Sequence, residues 1–274
     1  MSAIAAAEGR KSRPAYRLTA RGIIAGEWTK FWSLRSSWIT TAVSILLLIA
    51  IGVIAAAAYT PGAIGRGGRV EGGRDAVTLA LAGTTLAALA AGVLGVLLAA
   101  GEYSTGMIRS TLTAVPTRLP VLWAKSLTAG GVTFVLVTIG ALVSFLLGAP
   151  LLHNGVVKAG LGDQGVLRAL VGAGLYLGLV AVFGVGLGAL LRSSAGGIAL
   201  IAVLLLILPG LVTLLPDSWS DTIGPYLPGT AGGAVMELHP SGGDLGPWAG
   251  LAVFAGYVAV VLAGAAWRLA KTDV

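Results

Sequence analysis

Six stretches of this chain contain no Asp, Glu, Lys or Arg, and each is long enough to cross a lipid bilayer as a helix. They cover residues 36–65, 76–101, 126–157, 169–191, 193–216 and 245–267. Because ~20 apolar residues in helical form span the hydrocarbon core, these stretches predict six transmembrane helices. The predicted spans are 37–59, 76–100, 122–148, 169–191, 195–215 and 247–268, to within a few residues.

The composition agrees with this prediction and excludes an ordinary soluble enzyme. Only 11% of the residues are charged, whereas a soluble domain averages about 25%. The 42 glycines suit membrane helices that pack closely. We therefore expect an all-α integral membrane protein with one transmembrane domain over 37–268. A disordered basic arm (1–16) and an amphipathic helix (17–36) precede it, and a short cytoplasmic tail (269–274) follows it.

The distribution of basic residues predicts the orientation. With six spans the two termini lie on the same side, and the segments on that side hold thirteen of the 18 Lys and Arg residues. Basic residues are enriched in cytoplasmic loops, so we expect both termini to be cytoplasmic. The same asymmetry accounts for the net charge of +7 better than binding to nucleic acid does.

The segment before the first span has the spacing of an interfacial helix. Ile24, Trp28, Phe31 and Trp32 fall at positions i, i+4, i+7 and i+8, so a helix places them on one face. Tryptophan combined with basic residues is typical of a helix at headgroup depth. We expect Trp28, Phe31 and Trp32 on the membrane side. The alternative is that this segment is only the flank of the first span.

The cytoplasmic loop between the second and third spans predicts another short amphipathic helix. Ile108, Leu112 and Val115 form one apolar stripe with Met107 beside it, and Pro116 is placed to end the helix. An apolar stripe that faces the cytosol has to be covered. The membrane surface and a groove on a partner protein are both compatible with the pattern.

The connection between the fifth and sixth spans, residues 216–246, has no Lys or Arg and several Pro and Gly residues. Its middle is too apolar for an ordinary loop and too short to cross the membrane. A re-entrant or interfacial pair of short helices on the extracellular side, buried against protein, fits this pattern. A loosely packed loop is the alternative.

Recognisable catalytic and metal-binding patterns are missing from the sequence. There is no phosphate-binding G-x-x-x-x-G-K-[ST] loop, no cysteine, and only two histidines. The charge-free stretches lack the ionisable residues that mark most proton- or ion-coupled carriers. His239, Ser241 and Asp244 are close in sequence, but the Pro and Gly around them indicate a turn. We therefore predict no catalytic, cofactor-binding or metal-binding residues in this chain.

Three segments, in their order along a six-span chain, resemble one family. They are residues 26–38 (GEWTKFWSLRSSW), residues 102–112 (EYSTGMIRSTL) and residues 225–230 (PYLPGT). The first resembles the N-terminal region of actinobacterial ABC transporter permeases of the type 2 exporter class. The second segment is followed by Val115, Pro116, Arg118 and Lys125, and together they resemble the loop after the second span of those permeases. The third resembles their extracellular re-entrant region.

The resemblance implies a permease subunit in a bacterial cytoplasmic membrane. Two cytosolic ABC ATPase subunits would bind ATP and magnesium, and a second permease, identical or a sister, would complete the complex. The loop would be a coupling helix seated in an ATPase groove, and the N-terminal helix a lever that touches membrane lipids and the ATPase or the loop. The implied coupling residues are Glu102, Tyr103, Thr105, Gly106, Met107, Ile108, Arg109 and Leu112. The implied lever residues are Glu27, Trp28, Lys30, Phe31, Trp32 and Arg35.

By this resemblance the chain exports a hydrophobic or amphipathic cargo of the drug, antibiotic, lipid or glycan class. A scaffold or immunity-type subunit with the same fold and no transport is the main alternative. A membrane-embedded enzyme, a channel and a secondary carrier are further ones. An ATPase that co-purifies with the chain would favour the exporter, whereas an enzyme would require polar residues that converge at one membrane depth.

Overall fold

A computed structural model describes residues 19–59, 75–115, 117–152, 159–239 and 243–271, without the side chains of Arg109, Leu112 and Asp217. The predicted arm (1–16) therefore lies outside the described residues. The helices are α1 (Ala20–Ser33), α2 (Arg35–Ala58), α3 (Ala76–Ala80), α4 (Thr84–Ser104), α5 (Met107–Ala114), α6 (Leu119–Gly148), α7 (Val166–Leu191), α8 (Ser194–Ala202), α9 (Leu208–Val212), α10 (Asp217–Ile223), α11 (Pro228–Gly233) and α12 (Pro247–Lys271).

Six helical stretches of the described chain are long and apolar enough to cross a membrane, which confirms the predicted all-helical, six-span class. They are Arg35–Ala58, Thr84–Ser104, Leu119–Leu151, Val166–Leu191, Ser194–Val212 and Pro247–Lys271. The second stretch begins at Thr84, not at the predicted 76. The Asp75 carboxylate accepts a hydrogen bond from the Thr78 N–H at 2.7 Å, so the chain first forms the short helix α3 and then turns before α4.

Helix α7 forms the centre of the bundle and packs against α4, α6 and α12. Glycine allows this close approach, because a Cβ at Gly184 would collide with the carbonyl oxygen of Gly92 on α4. A Cβ at Gly178 would lie 3.0 Å from the carbonyl oxygen of Gly130 on α6. The small residues of α7 thus serve packing within the chain.

The fifth apolar stretch is irregular in its middle. After α8, residues Val203–Ile207 form a π-helical turn before α9 begins. Pro209 has no N–H and its ring clashes with the carbonyl four residues earlier in an ordinary α-helix. That earlier residue is Leu205, which lies in the π-helical turn, so the proline accounts for the irregularity.

Two short helices, α10 and α11, form the connection before α12. Helix α11 is buried, with Ala231 fully enclosed between α7, α12 and the π-helical turn. Gly250 of α12 makes room for it, since a Cβ there would collide with the carbonyl oxygen of Ala231. The segment is therefore packed as part of the bundle.

All seven tryptophans of the chain lie near the ends of the apolar stretches, and each is between 46% and 63% exposed. Exposed tryptophans at this frequency are unusual in water-soluble proteins but typical of both membrane–water interfaces. Those near one end are Trp28, Trp32, Trp38, Trp123 and Trp267, and those near the other end are Trp219 and Trp248. Together with the six apolar helices they indicate a multi-pass membrane protein.

Candidate functional site

Four charged residues from three helices meet at one end of the bundle, and three of them are buried. Glu27 and Lys30 lie one turn apart on α1, Glu102 lies in the last turn of α4, and Lys125 lies in the second turn of α6. Glu27, Glu102 and Lys125 are 6%, 3% and 7% exposed, although charged side chains are almost never buried to this extent without a partner. We call this group of four the charge ring.

The charge ring alternates acid and base around a closed loop of ion pairs. Lys30 Nζ lies 2.8 Å from Glu27 Oε1 and 3.0 Å from Glu102 Oε1. Lys125 Nζ lies 2.7 Å from Glu27 Oε2 and 2.8 Å from Glu102 Oε1. Both lysines thus donate to both carboxylates, and the formal charge of the ring is zero. Glu102 Oε2 is buried and accepts no hydrogen bond from any described residue.

The pKa shifts on α1 follow from this geometry. Burial by itself would raise the pKa of Glu27, but the ammonium groups of Lys125 and Lys30 outweigh burial, so the pKa of Glu27 is lowered. Burial would likewise lower the pKa of Lys30, but the carboxylates of Glu27 and Glu102 outweigh it, so the pKa of Lys30 is raised. Both residues therefore stay charged over a wide pH range.

Helix α5 joins the charge ring through a hydroxyl group. Lys30 Nζ donates to Thr111 Oγ1 at 3.2 Å, and this bond ties α1 to the middle of α5. The chain reverses between α4 and α5 at Gly106, whose φ of +72° belongs to the left-handed region that favours glycine. Because of this turn, α5 folds back towards α1 instead of continuing α4.

A groove of about 450 Å³ separates α1 from α5 above the charge ring. Its floor includes Glu27 and Lys30. One wall is formed by Gly22 and Gly26 of α1, and the other by Met107, Ser110, Thr111 and Ala114 of α5. A Cβ at Gly26 would meet no atom within 4 Å, so the groove is open at that point and could receive a segment of another protein.

The predicted lever residues divide between the protein interior and the surface. Trp28 and Trp32 are 49% and 46% exposed, in agreement with a membrane-facing position, but Phe31 is only 1% exposed. The prediction that Phe31 faces the membrane is wrong, because its ring packs into the protein against Leu94 and Val132. Arg35 is exposed at the start of α2.

The predicted coupling residues do not all lie on one helix. Glu102 and Tyr103 belong to α4, because α4 continues to Ser104. Tyr103 lies beneath the guanidinium of Arg192, which is 5.2 Å from the ring centre. Thr105 is exposed next to Gly106.

Met107 of α5 lines the groove, and Ile108 beside it is only 6% exposed. That these two residues bind an ATPase stays a prediction. The side chains of Arg109 and Leu112 lie outside the described residues.

Lys125 and Thr111 belong to this site but are not among the site residues predicted from the sequence. Lys125 carried a usable signal, since a single lysine inside a long apolar helix is costly and needs a nearby acid. Thr111 carried none, because a threonine on an exposed helix is common. Within the described ranges, no group of three or more His, Asp or Glu residues could hold a metal ion.

No protein-family model matches the chain, and no curated protein matches its sequence.

Proposed function

We propose that this chain is the transmembrane permease subunit of an ATP-driven exporter and that separate cytosolic subunits hydrolyse the ATP. The observation that carries the proposal is the charge ring, which links α1, α4 and α6 and reaches α5 through Thr111. A helix that only anchors a protein to lipid needs apolar area and positive charge. It does not need a buried glutamate held by two lysines.

The groove between α1 and α5 is the surface on which we expect an ATPase subunit to dock. A force applied to α5 or α1 there would pass through the charge ring to α4 and α6, which are two of the membrane-spanning stretches. Two ATPase subunits and a second permease chain, identical or a sister, would complete the complex. The cargo would be hydrophobic or amphipathic.

A glycine substitution tests the docking surface directly. Gly26→Trp should fill the open groove without disturbing the chain's own packing, and should abolish recovery of the ATPase with the affinity-purified permease. Gly256→Trp is the matched control, because Gly256 is also an exposed helical glycine at which an added Cβ would meet no atom within 4 Å. Equal recovery of an ATPase with both variants would contradict the proposed surface. If the wild-type chain recovers no ATPase at all, the exporter proposal fails and the scaffold alternative gains support.

A second experiment tests the lever. In proteoliposomes that contain the intact complex, Glu27→Ala should leave ATP hydrolysis measurable but reduce transport per ATP hydrolysed at least about tenfold, since a lost buried pair of about 2–5 kcal/mol would loosen α1 from α6. Unchanged transport per ATP in this variant would show that the charge ring has no part in coupling.

A further inference from the structure

A cavity of about 470 Å³ lies at the end of the bundle away from the charge ring. The start of α4, the short helix α3, α7, the π-helical turn and α11 all contribute to its walls. Its volume falls within the range of about 300–1,000 Å³ that is usual for small-molecule sites.

Most of the cavity wall is apolar, with a few hydroxyl groups among the apolar side chains. Leu81, Ala88, Leu205, Leu206 and Met236 supply the apolar surface. The hydroxyl groups belong to Thr78, Thr84, Thr85 and Thr230. A ligand with an apolar body and a few polar atoms would match this lining.

Tyr176 brings a hydrogen-bonding side chain to the cavity wall. The residue lines the cavity and is only 4% exposed, and its hydroxyl has no hydrogen-bond partner within the described ranges. Its ring is fixed by an edge-to-face contact with Phe254, with 5.4 Å between centroids. Gly232 leaves room for it, since a Cβ there would collide with the ring. Because the residue lines the cavity, a bound molecule could exchange a hydrogen bond with this hydroxyl, which can both donate and accept.

Glu237 supplies an acidic side chain to the same cavity. Arg168 comes close, but its guanidinium donates to the carbonyl oxygens of Val235 and Glu237 at 3.2 and 2.9 Å. The carboxylate of Glu237 forms no ion pair with any described residue. Burial, and then the negative charge of Asp244, raise the pKa of Glu237. A cation beside this carboxylate would favour its charged form and so oppose the rise in its pKa.

A second cavity, also of about 470 Å³, adjoins the first and shares Pro209 and Thr230 with it. Asp221 and Asp244 line this second cavity. The described residues of the connection 216–246 supply a third of the residues that line the first cavity and most of those that line the second, and this connection contains no Lys or Arg. Asp221, Glu237 and Asp244 therefore place three carboxylate-bearing residues around the two cavities, which favours a cation over an anion there.

We infer that the cavity at Tyr176 and Glu237 binds an organic cation with an apolar body and a hydrogen-bonding group. The charge of the ligand would lie near Glu237, its polar group would meet the Tyr176 hydroxyl, and its body would pack on Leu205, Leu206 and Met236. That this cation is a cargo for export rests on the proposed function. The binding site itself does not.

Two dyes of the same shape and opposite charge test the inference on the full chain in detergent, without any ATPase. Rhodamine 123 is a cation, and fluorescein methyl ester has the same ring framework and methyl ester but is an anion at mildly alkaline pH. Fluorescence anisotropy gives both affinities. We expect the cation to bind at least about tenfold more tightly, from one unit charge at a half-buried site.

Variants of nearly unchanged shape show which residues cause the preference for the cationic dye. Glu237→Gln should remove the preference for the cation, whereas Asp163→Asn, which removes an exposed acid outside both cavities, should keep it. Tyr176→Phe should weaken both dyes about two- to tenfold through one lost hydrogen bond. Size-exclusion chromatography checks the fold of each variant, and the comparison of the two dyes on the wild-type chain remains decisive even where a variant fails to fold.

Equal affinities for the two dyes on the wild-type chain would overturn the inference. So would a cation preference that survives in well-folded Glu237→Gln, or unchanged affinities in well-folded Tyr176→Phe. The proposed function fails separately: cation binding without a co-purifying ATPase would leave the site standing and remove its role in ATP-driven export.

Discussion

At the scale of single residues, the charge ring shows how a cluster of charges tolerates burial. Removing one partner of a buried pair costs more than the pair contributes, because the other charge stays desolvated. Lys125 is enclosed and holds both carboxylates, whereas the Lys30 side chain is 29% exposed. Water can therefore compensate for the loss of Lys30 but not for the loss of Lys125.

This difference predicts an order of stability. Lys125→Met should lower the free energy of unfolding by about 3 kcal/mol, as expected for an uncompensated buried charge, and Lys30→Met by about 1 kcal/mol, as for a partly exposed pair. Unfolding of the purified chain in mixed micelles measures both. Equal losses in the two variants would mean that the ring is open to solvent.

The pKa shifts predict how this stability depends on pH. The lowered pKa of Glu27 contributes stability that is complete above its ordinary value of 4.5 and is lost as the pH falls through the lowered pKa. The raised pKa of Lys30 contributes stability that is complete below 10.5 and is lost as the pH rises through the raised pKa. Between these limits the ring contribution should be constant.

Lys125→Met is the variant that exposes this dependence. Without the Lys125 ammonium the pKa of Glu27 should rise, so the melting temperature should begin to fall at a higher pH on acidification than it does for the wild-type chain. Melting curves at a series of acidic pH values compare the two. If the melting temperatures of the two chains begin to fall at the same pH, the assigned role of Lys125 is contradicted.

At the scale of secondary-structure elements, the helices were predictable and some of their contacts were not. The charge-free stretches predicted the six apolar helices because a membrane imposes length and polarity on each span separately. Helical spacing also placed Trp28 and Trp32 on one face. It misplaced Phe31, because periodicity does not distinguish burial in lipid from burial in protein. The pairing of Lys125 with Glu27 was not predicted, because the two residues are 98 positions apart in sequence and only the fold brings them together.

The crossing of α4 and α7 gives the sharpest prediction at this scale. Gly184→Val should prevent recovery of folded, monodisperse protein, because its side chain would enter the backbone of α4 at Gly92, where overpacking costs about 1–3 kcal/mol or more. Gly256→Val, at an exposed position with open space, should behave like the wild type. Size-exclusion profiles from matched preparations measure the difference. A normal profile for Gly184→Val would mean that α4 and α7 do not approach closely enough at Gly92 for the valine side chain to collide.

At the scale of the whole molecule, the orientation remains a prediction from the basic residues. The chain has no cysteine of its own, so single introduced cysteines report accessibility without background. Ser218→Cys, exposed on α10, should react with an impermeant maleimide in intact cells. Ser110→Cys, exposed on α5, should react only after the membrane is permeabilised. The reverse pattern would invert the topology.

The charge ring also sets an order of events during synthesis. Lys125 is made 98 residues after Glu27, which at roughly 5–20 residues per second corresponds to between about 5 and 20 s. During that interval α1 and the first span have left the ribosome while the Glu27 carboxylate still lacks the lysine that later encloses it. We therefore expect the nascent helix to stay at the lipid surface, where Trp28 and Trp32 would hold it, until the third span is made. It would then join a partly assembled bundle.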